Sequence, residues 1–288
     1  MKKLETVLVI GAGTMGAGIA QWFTQQGLRV ELCDLNTEVL NTAETKINAS
    51  WEKLVQKDKF SVSQLELFKK NISYKELNGF TPKCDLVVEA IIENLEIKKQ
   101  LFADLDKKLP RETLFASNTS SLTVGSLTKD LPFERQKNFL GLHFFNPATI
   151  MKLVEVVEGP QTLKENIDFL ISWFEGKGKM PAHCQDRPGF IVNRVARNFY
   201  GEPLRIAKVL DRSLIKEIDT VLKEVGGFRM GPFELMDLIG IDVNYDVTVS
   251  VWKAFYNEPR FQPHQLQKSL VDRGCLGKKT GEGFYKYE

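Results

Sequence analysis

The chain has 288 residues, 43% of them hydrophobic and 26% charged, which is the usage of ordinary soluble globular proteins. Lys and Arg number 39 against 37 Asp and Glu, and the resulting net charge of +2 argues against a general nucleic-acid binder. No stretch is long and apolar enough to cross a membrane, so we expect a cytoplasmic protein without membrane partners. The cysteines are far apart and predict neither a metal site nor a disulfide framework: Cys33, Cys84, Cys184 and Cys275.

The first predicted strand, residues 6–10, runs directly into a Gly-x-Gly-x-x-Gly segment and then into a helix that ends near residue 27. In this setting the first glycine permits a tight turn, the second lets the backbone approach a pyrophosphate, and the third allows close packing of helix on strand. The N-terminus of the helix offers free N–H groups to phosphates. The segment therefore predicts a dinucleotide site formed by Gly11, Ala12, Gly13, Thr14, Met15 and Gly16.

A second predicted strand, residues 29–33, ends at Asp34, about 20 residues after the glycines. An acidic side chain at this position accepts hydrogen bonds from ribose hydroxyls. A carboxylate would also repel a 2′-phosphate, and the following Leu35 and Asn36 provide no arginine to bind one. The expected cofactor is therefore NAD rather than NADP.

The next part of the chain alternates between short apolar runs and amphipathic segments. Strands are predicted at 86–90, 114–117, 139–144 and 153–157, and helices at 37–55, 95–109 and 164–174. Such alternation is typical of a mostly parallel sheet covered by helices.

The character of the sequence changes at Asp186, where Pro188 and Gly189 provide a natural breakpoint. Helices are predicted from there on, at 190–209, 214–225, 233–239, 243–256 and 266–272. We therefore expect an α/β Rossmann-type NAD-binding domain over residues 1–186. An all-α C-terminal domain should follow over residues 187–288.

Two side chains are candidates for proton transfer. Oxidation of an alcohol requires a base for the hydroxyl proton, and histidine titrates near neutral pH. His143 lies at the end of an apolar strand, and Glu155 interrupts the apolar strand that follows. A buried acid is costly unless it is paired, and His143 is the neighbouring partner. Spacing alone also allows a structural histidine and an outward-facing Glu155.

Long segments resemble the 3-hydroxyacyl-CoA dehydrogenase family, in the family's order and over essentially the whole chain. They are Ala-Ser-Asn-Thr-Ser-Ser at 116–121, Gly-Leu-His-Phe-Phe-Asn-Pro at 141–147, Asp-Arg-Pro-Gly-Phe-Ile-Val-Asn-Arg at 186–194 and Gly-Lys-Lys-Thr-Gly-Glu-Gly-Phe-Tyr at 277–285. Residues 151–156 and 230–235 belong to the same resemblance. It implies NAD-dependent oxidation of a (3S)-3-hydroxyacyl-CoA to the 3-oxoacyl-CoA, as in the β-oxidation of fatty acids.

The resemblance also implies roles for individual residues. His143 would be the general base and Glu155 its orienting acid, with Ser120 and Asn193 beside the reacting oxygens of the substrate. Hydroxyl and amide groups suit that position because each can both donate and accept hydrogen bonds. Further cofactor contacts are implied for Glu93, Lys98, Asn146 and Lys279, and contacts with CoA for Ser50 and Lys57.

Several expectations remain open at this point. Pro203 interrupts a helix that lacks proline in the family, and it should kink that helix. The helical domain is expected to form a homodimer through aromatics that look exposed, namely Phe228, Phe233, Trp252 and Phe255, unless these form its own core.

The leading substrate is 3-hydroxybutyryl-CoA. The alternative is 3-hydroxyadipyl-CoA of phenylacetate degradation, because residues 226–232 and 242–245 resemble that branch and Arg229 could meet a distal carboxylate. A third alternative is a structural protein, since the family includes lens crystallins.

Overall fold

A computed structural model describes residues 3–287 of the chain. The chain divides into two compact units, with the division between Arg187 and Pro188. The first unit contains one sheet covered by helices, and the second is built from helices with a short irregular C-terminal segment. An α/β domain followed by a helical domain is the fold that the sequence predicts. Among residues 3–287, no helix has the length and apolarity that a membrane span requires.

The sheet of the first unit has eight strands: β1 (Thr6–Ile10), β2 (Arg29–Asp34), β3 (Ile72–Glu76), β4 (Leu86–Glu89), β5 (Leu114–Ser117), β6 (Phe139–Phe144), β7 (Leu153–Glu158) and β8 (Met180–Gln185). Their spatial order is β3-β2-β1-β4-β5-β6-β7-β8. Neighbouring strands are parallel except β6 and β7, which run antiparallel. The order reverses between β1 and β4, which is where open α/β sheets bind ligands.

The six predicted strands are all present, each within one residue of its expected bounds. The two edge strands, β3 and β8, were not predicted. Their side chains are mostly half-buried or exposed, because an edge strand has a neighbour on one side only. The sequences of β3 and β8 therefore lack the apolar run that marks a central strand.

Seven helices belong to the first unit: α1 (Thr14–Gln25), α2 (Thr37–Gln56), α3 (Val62–Asn71), α4 (Leu95–Lys108), α5 (Val124–Thr128), α6 (Phe133–Lys137) and α7 (Lys164–Gly176). Asn36 and Asn94 cap α2 and α4 by accepting backbone N–H groups of the first turn. Helix α3, which the sequence analysis missed, begins with a capping box between Ser61 and Gln64.

An aromatic cluster fixes the end of β6 against the helices. Phe144 packs with Trp22 and Phe23 of α1 and with Phe174 of α7. The ring centroid of Phe174 lies 5.5–6.2 Å from those of the other three residues. Aromatic pairs at such separations stabilise a core beyond the area that they bury. The strand that carries His143 is therefore anchored in the core at the residue next to it.

The described residues of the second unit form five α-helices: α8 (Val192–Ala207), α9 (Arg212–Glu224), α10 (Pro232–Ile239), α11 (Ile241–Ala254) and α12 (Gln265–Asp272). Each corresponds to a predicted helix within two residues. Pro203 is buried inside α8, and the helix nevertheless continues to Ala207.

The four aromatics named for dimerisation differ in their burial. Phe233 is fully buried, with its ring 4.9 Å from that of Phe284, so the expectation that it is exposed is wrong. It begins α10, and its apolar ring completes the core of the second unit. Phe228 is 48% exposed, whereas Trp252 and Phe255 are half-buried.

Candidate active site

Six parallel strands end at one edge of the sheet, and most of the predicted site residues follow the ends of five of them. The strands β1, β2, β4, β5 and β6 end at Ile10, Asp34, Glu89, Ser117 and Phe144. Because the carboxyl ends of parallel strands share an edge, the glycine-rich segment, residues 90–94, residues 118–123 and His143 lie along it.

The glycine-rich turn between β1 and α1 requires glycine for close backbone approach. Gly11 has φ +99°, and a Cβ there would lie 2.5 Å from the carbonyl oxygen of Ala90. A Cβ on Gly16 would lie 1.7 Å from the carbonyl oxygen of Gly11. Gly13, which caps α1, has open space where its Cβ would be. The turn thus leaves room for a ligand's pyrophosphate against the helix N-terminus, and it fits NAD.

Asp34 is held at the end of β2 by backbone hydrogen bonds. One carboxylate oxygen accepts the N–H of Ala12 at 2.7 Å, and the other accepts the N–H of Asn36 at 3.0 Å. The side chain remains half-buried, and its exposed neighbour is Leu35. A carboxylate oxygen accepts more than one hydrogen bond, so Asp34 can also receive ribose hydroxyls.

Two cavities meet at the glycine-rich turn. The larger, of about 1220 Å³, is lined by Gly11, Gly13, Thr14, Met15 and Asp34 together with apolar residues of α2 and α4. This cavity brings five of the predicted cofactor residues together, and its size suits a dinucleotide moiety.

The second cavity, of about 640 Å³, is lined by residues of α1 and α2 and of the β6–β7 loop. Ala12, Ser50 and Asn146 lie in its wall. The Ser50 hydroxyl accepts a hydrogen bond of 3.0 Å from the amide of Gln21, which fixes its position. Lys57 is exposed at the C-terminal end of α2, outside this lining.

His143 and Glu155 form a buried pair. They stand opposite each other in the antiparallel register of β6 and β7, and His143 Nδ1 lies 2.6 Å from Glu155 Oε2. Both side chains are buried, that of Glu155 completely. In the tautomer that donates from Nδ1 to the carboxylate of Glu155, Nε2 is the basic nitrogen. The Phe145 ring, 4.5 Å from the imidazole, packs beside it.

The loop that carries Ser120 is organised by one carboxylate. Glu93 Oε1 accepts the backbone N–H groups of Ser120 and Ser121 and the hydroxyls of Thr119 and Ser121, at 2.5–3.2 Å. Burial alone would raise the pKa of Glu93, but the ammonium of Lys98 and these hydrogen bonds lower it below its usual value. Glu93 is therefore ionised at neutral pH and holds the Ser120 loop as an anion.

Lys98 is the buried partner of two carboxylates. Its side chain is 1% exposed, with Nζ 2.6 Å from Glu89 Oε1 and 3.0 Å from Glu93 Oε2. The other oxygen of Glu89 accepts the hydroxyl of Ser117 at 2.6 Å. Lys98 thus links the end of β4 to the Ser120 loop, and its contact with the cofactor stays a prediction.

Two predicted site residues belong to the second unit. Asn193 is half-buried in the first turn of α8, where its carbonyl accepts a hydrogen bond from Arg197. Lys279 is exposed, and its ammonium lies 2.6 and 2.7 Å from the two carboxylate oxygens of Asp242. The roles of Asn193 and Lys279 stay predictions.

Several residues of the site were missed by the sequence analysis. Asn118 accepts the N–H of Phe144 at 2.8 Å and so fixes the end of β6 beside His143. Glu89 could have been found, because it is an acid at the end of an apolar strand, as Glu155 is an acid within one. Gln21 and Lys179 lie in segments whose pattern gives no sign of their contacts.

Comparison with known proteins gives two family matches. The model described as "3-hydroxyacyl-CoA dehydrogenase, NAD binding domain" matches residues 6–187. The model described as "3-hydroxyacyl-CoA dehydrogenase, C-terminal domain" matches residues 189–287.

Individual relatives agree with these matches. The chain is 43% identical over 290 residues to a 3-hydroxyadipyl-CoA dehydrogenase of Escherichia coli, covering 100% of this chain and 60% of the relative. It is 42% identical to the mitochondrial hydroxyacyl-coenzyme A dehydrogenase of Sus scrofa, covering 99% of this chain and 92% of the relative. A crystal structure of an E. coli 3-hydroxybutyryl-CoA dehydrogenase superposes with a TM-score of 0.93 at 42% identity, covering 99% of this chain and 60% of that one.

Proposed function

Because the chain belongs to the 3-hydroxyacyl-CoA dehydrogenase family, with its NAD-binding domain, we propose that it oxidises the 3-hydroxyl group of a (3S)-3-hydroxyacyl-CoA to the 3-oxo group. The observation that carries this proposal is the 2.6 Å contact of His143 Nδ1 with Glu155 at the carboxyl edge of the sheet. A histidine whose Nδ1 is held by a carboxylate is oriented to act as a general base through Nε2.

NAD, when bound, supplies the acceptor for the hydride that leaves C3. His143 takes the hydroxyl proton at Nε2, and the imidazolium so formed is stabilised by the carboxylate of Glu155. We assign Ser120 and Asn193 to the substrate oxygens, because a hydroxyl and an amide can serve both the alcohol and the ketone. The glycine-rich turn and Asp34 would hold the pyrophosphate and ribose of NAD, with Glu93, Asn146 and Lys279 as further contacts.

A single assay distinguishes the enzyme from a structural protein that keeps only the fold. Purified protein is mixed with NAD and (3S)-3-hydroxybutyryl-CoA, and NADH formation is followed by its absorbance. We expect turnover that requires both reactants. NADH binding without turnover on four-carbon, six-carbon dicarboxylic or longer CoA substrates would favour the structural alternative.

The leading substrate in this proposal is 3-hydroxybutyryl-CoA, the acyl-CoA named for the superposed E. coli structure. A six-carbon dicarboxylic substrate is the second candidate, since the E. coli relative is named for 3-hydroxyadipyl-CoA. Arg229 supports it as an exposed cation in the segment between α9 and α10. A guanidinium there could bind a distal carboxylate in bidentate fashion.

Substitution of Arg229 separates the two substrates. If the dicarboxylic candidate is right, Arg229→Met should raise the KM for 3-hydroxyadipyl-CoA about tenfold or more and leave that for 3-hydroxybutyryl-CoA unchanged. Arg273→Met, which removes another exposed arginine of the same unit, is the control. Equal effects on both substrates would exclude Arg229 from specificity.

We also propose a homodimer formed by the second unit, in the cytoplasm. Exposed apolar side chains on this unit support the dimer, among them Val195, Val209, Val225 and Phe228. Light scattering of the purified protein tests the dimer, and Val225→Lys should weaken it. Fractionation of cells tests the compartment.

A further inference from the structure

Lys179 is a buried cation that the mechanism does not use. It precedes β8, is 7% exposed, and donates hydrogen bonds to the carbonyl oxygens of Ala148 at 2.6 Å and Met151 at 2.5 Å. Its ammonium also lies 4.7 Å from the ring centroid of Trp22 and 5.8 Å from that of Phe144. Both acceptors are neutral carbonyls, so the charge is stabilised by dipoles and aromatic faces.

Such a burial is costly, and burial indeed lowers the pKa of Lys179 to about 8. A methionine would fill the same channel beside the two aromatic rings without that cost. It would, however, leave two buried carbonyls without their donor. The buried charge is therefore explained by the hydrogen bonds that Lys179 donates to those two carbonyl oxygens.

The two carbonyls belong to the loop 145–152, which joins β6 to β7. Within the loop, the N–H groups of Ile150 and Met151 both donate to the carbonyl of Pro147, at 3.0 and 2.9 Å. Residues 146–150 line the second cavity together with Gly13 and Thr14. Lys179 thus binds the loop in its middle, at Ala148, and near its end, at Met151. It is not among the residues that line the cavity.

We propose that Lys179 is a positioning residue, which holds the loop 145–152 in the shape that presents Asn146 to the bound cofactor. Three features of lysine suit this task. Its long apolar stem can be buried, its ammonium has three donors, and its charge makes each hydrogen bond stronger than one from a neutral group. The proposal rests on the proposed function only in taking Asn146 as a cofactor contact.

The test compares Lys179→Met with Lys177→Met. Lys177 is the exposed neighbour two residues earlier, and its ammonium lies 5.8 Å from the Trp173 ring. Amide hydrogen exchange of Ile150 and Met151 reports the loop, and titration with NADH, followed by its fluorescence, reports cofactor binding. We expect Lys179→Met to speed the exchange and weaken NADH binding, each about tenfold.

The kinetics should show the same selectivity, with a raised KM for NAD and a kcat within about twofold of wild type, since β6 and β7 keep the His143–Glu155 pair in register. Lys177→Met should change none of these values.

Unchanged exchange, or faster exchange with unchanged NADH affinity, overturns the proposal. If Lys179→Met does not fold, Lys179→Leu, which also removes the donor, is judged by the same criteria. A wild type without turnover would refute the proposed function, whereas the exchange and NADH measurements would still decide the role of Lys179.

Discussion

Two regions of the first unit hold their functional side chains by different means. His143 and Glu155 stand on neighbouring strands, and the main-chain ladder of β6 and β7 sets them opposite each other. Ser120 and Asn146 lie on loops that charged side chains from elsewhere in the unit hold: Glu93, paired with the buried Lys98, in the first case, and the buried Lys179 in the second. Strand geometry is built from many hydrogen bonds, whereas each loop depends on one buried charge.

The strand-borne pair predicts the largest effect. His143→Gln should lower kcat by roughly 10²–10⁴-fold, the usual contribution of a general base, while NADH binding survives. Glu155→Gln should cause a loss of the same kind, because the charge that stabilises the imidazolium is gone. The matched control is His183→Gln, since His183 is paired with Glu158 at 2.7 Å on β8 and β7 but is exposed.

The two residues should act as a unit. The double variant of His143→Gln and Glu155→Gln should be little slower than His143→Gln alone. Steady-state kinetics on all three variants measures this directly. Losses that multiply, or near-normal turnover of His143→Gln, would contradict the mechanism and leave fold and cofactor untouched.

Removal of a buried charge that helps to hold a loop should lower the free energy of unfolding. Glu89→Gln leaves the ammonium of Lys98 with one carboxylate, and breaking a buried ion pair costs about 3–5 kcal/mol in the free energy of unfolding. Urea denaturation measures the loss, and Glu96→Gln, which removes an exposed carboxylate paired with Lys99, should cost much less. Equal costs would show that the pair of Lys98 with Glu89 stabilises the fold no more than an exposed pair does.

Asp34 is positioned both by a strand and by a loop contact. It ends β2, and it also accepts the N–H of Ala12 in the glycine-rich turn. Asp34→Ala should raise the KM for NAD about tenfold, through loss of ribose hydrogen bonds, and should reduce the preference for NADH over NADPH. Rates with the two cofactors measure both effects. A wild type that used NADPH as well as NADH would remove Asp34 as the source of cofactor choice.

A pH-dependent effect is expected at Lys179. Its pKa is about 8 in the folded protein against 10.5 for an ordinary lysine, so between these values the unfolded state binds more protons. Wild-type stability should therefore rise relative to Lys179→Met as pH increases from 8 to 10.5, by at most about 1.4 kcal/mol per pH unit. Below pH 8 the difference should be constant. Parallel stability curves over the whole range would show that the ammonium is not buried in solution.

The central elements could be predicted from sequence because each obeys a local rule. The strand β1 followed by Gly11, Gly13 and Gly16 has its geometry set by neighbours in the chain, and β6 is an apolar run buried on both faces. The edge strands β3 and β8 bury too little to need such a run, so the same rule does not detect them.

The site divides in the same way. An acid within an apolar strand predicts a partner on the next strand, which is how Glu155 leads to His143. The resemblance named Glu93 and Lys98, which both help to hold the Ser120 loop. It did not indicate that these two residues contact each other. Lys179 reaches Ala148 across 31 residues of sequence, and the pattern around either residue does not indicate that approach.

The single antiparallel pairing of the sheet, between β6 and β7, has a consequence for the order in which the molecule assembles. Contacts between β1 and β4, such as that of Thr6 with Asp85, join residues 79 apart, whereas His143 and Glu155 are only 12 apart. Closing a short loop loses less chain entropy than closing a long one, and short-range contacts form faster. We expect the hairpin of β6 and β7 to form before the parallel sheet closes around it. In that case the proton-transfer pair would exist in the folding chain before the cofactor site does.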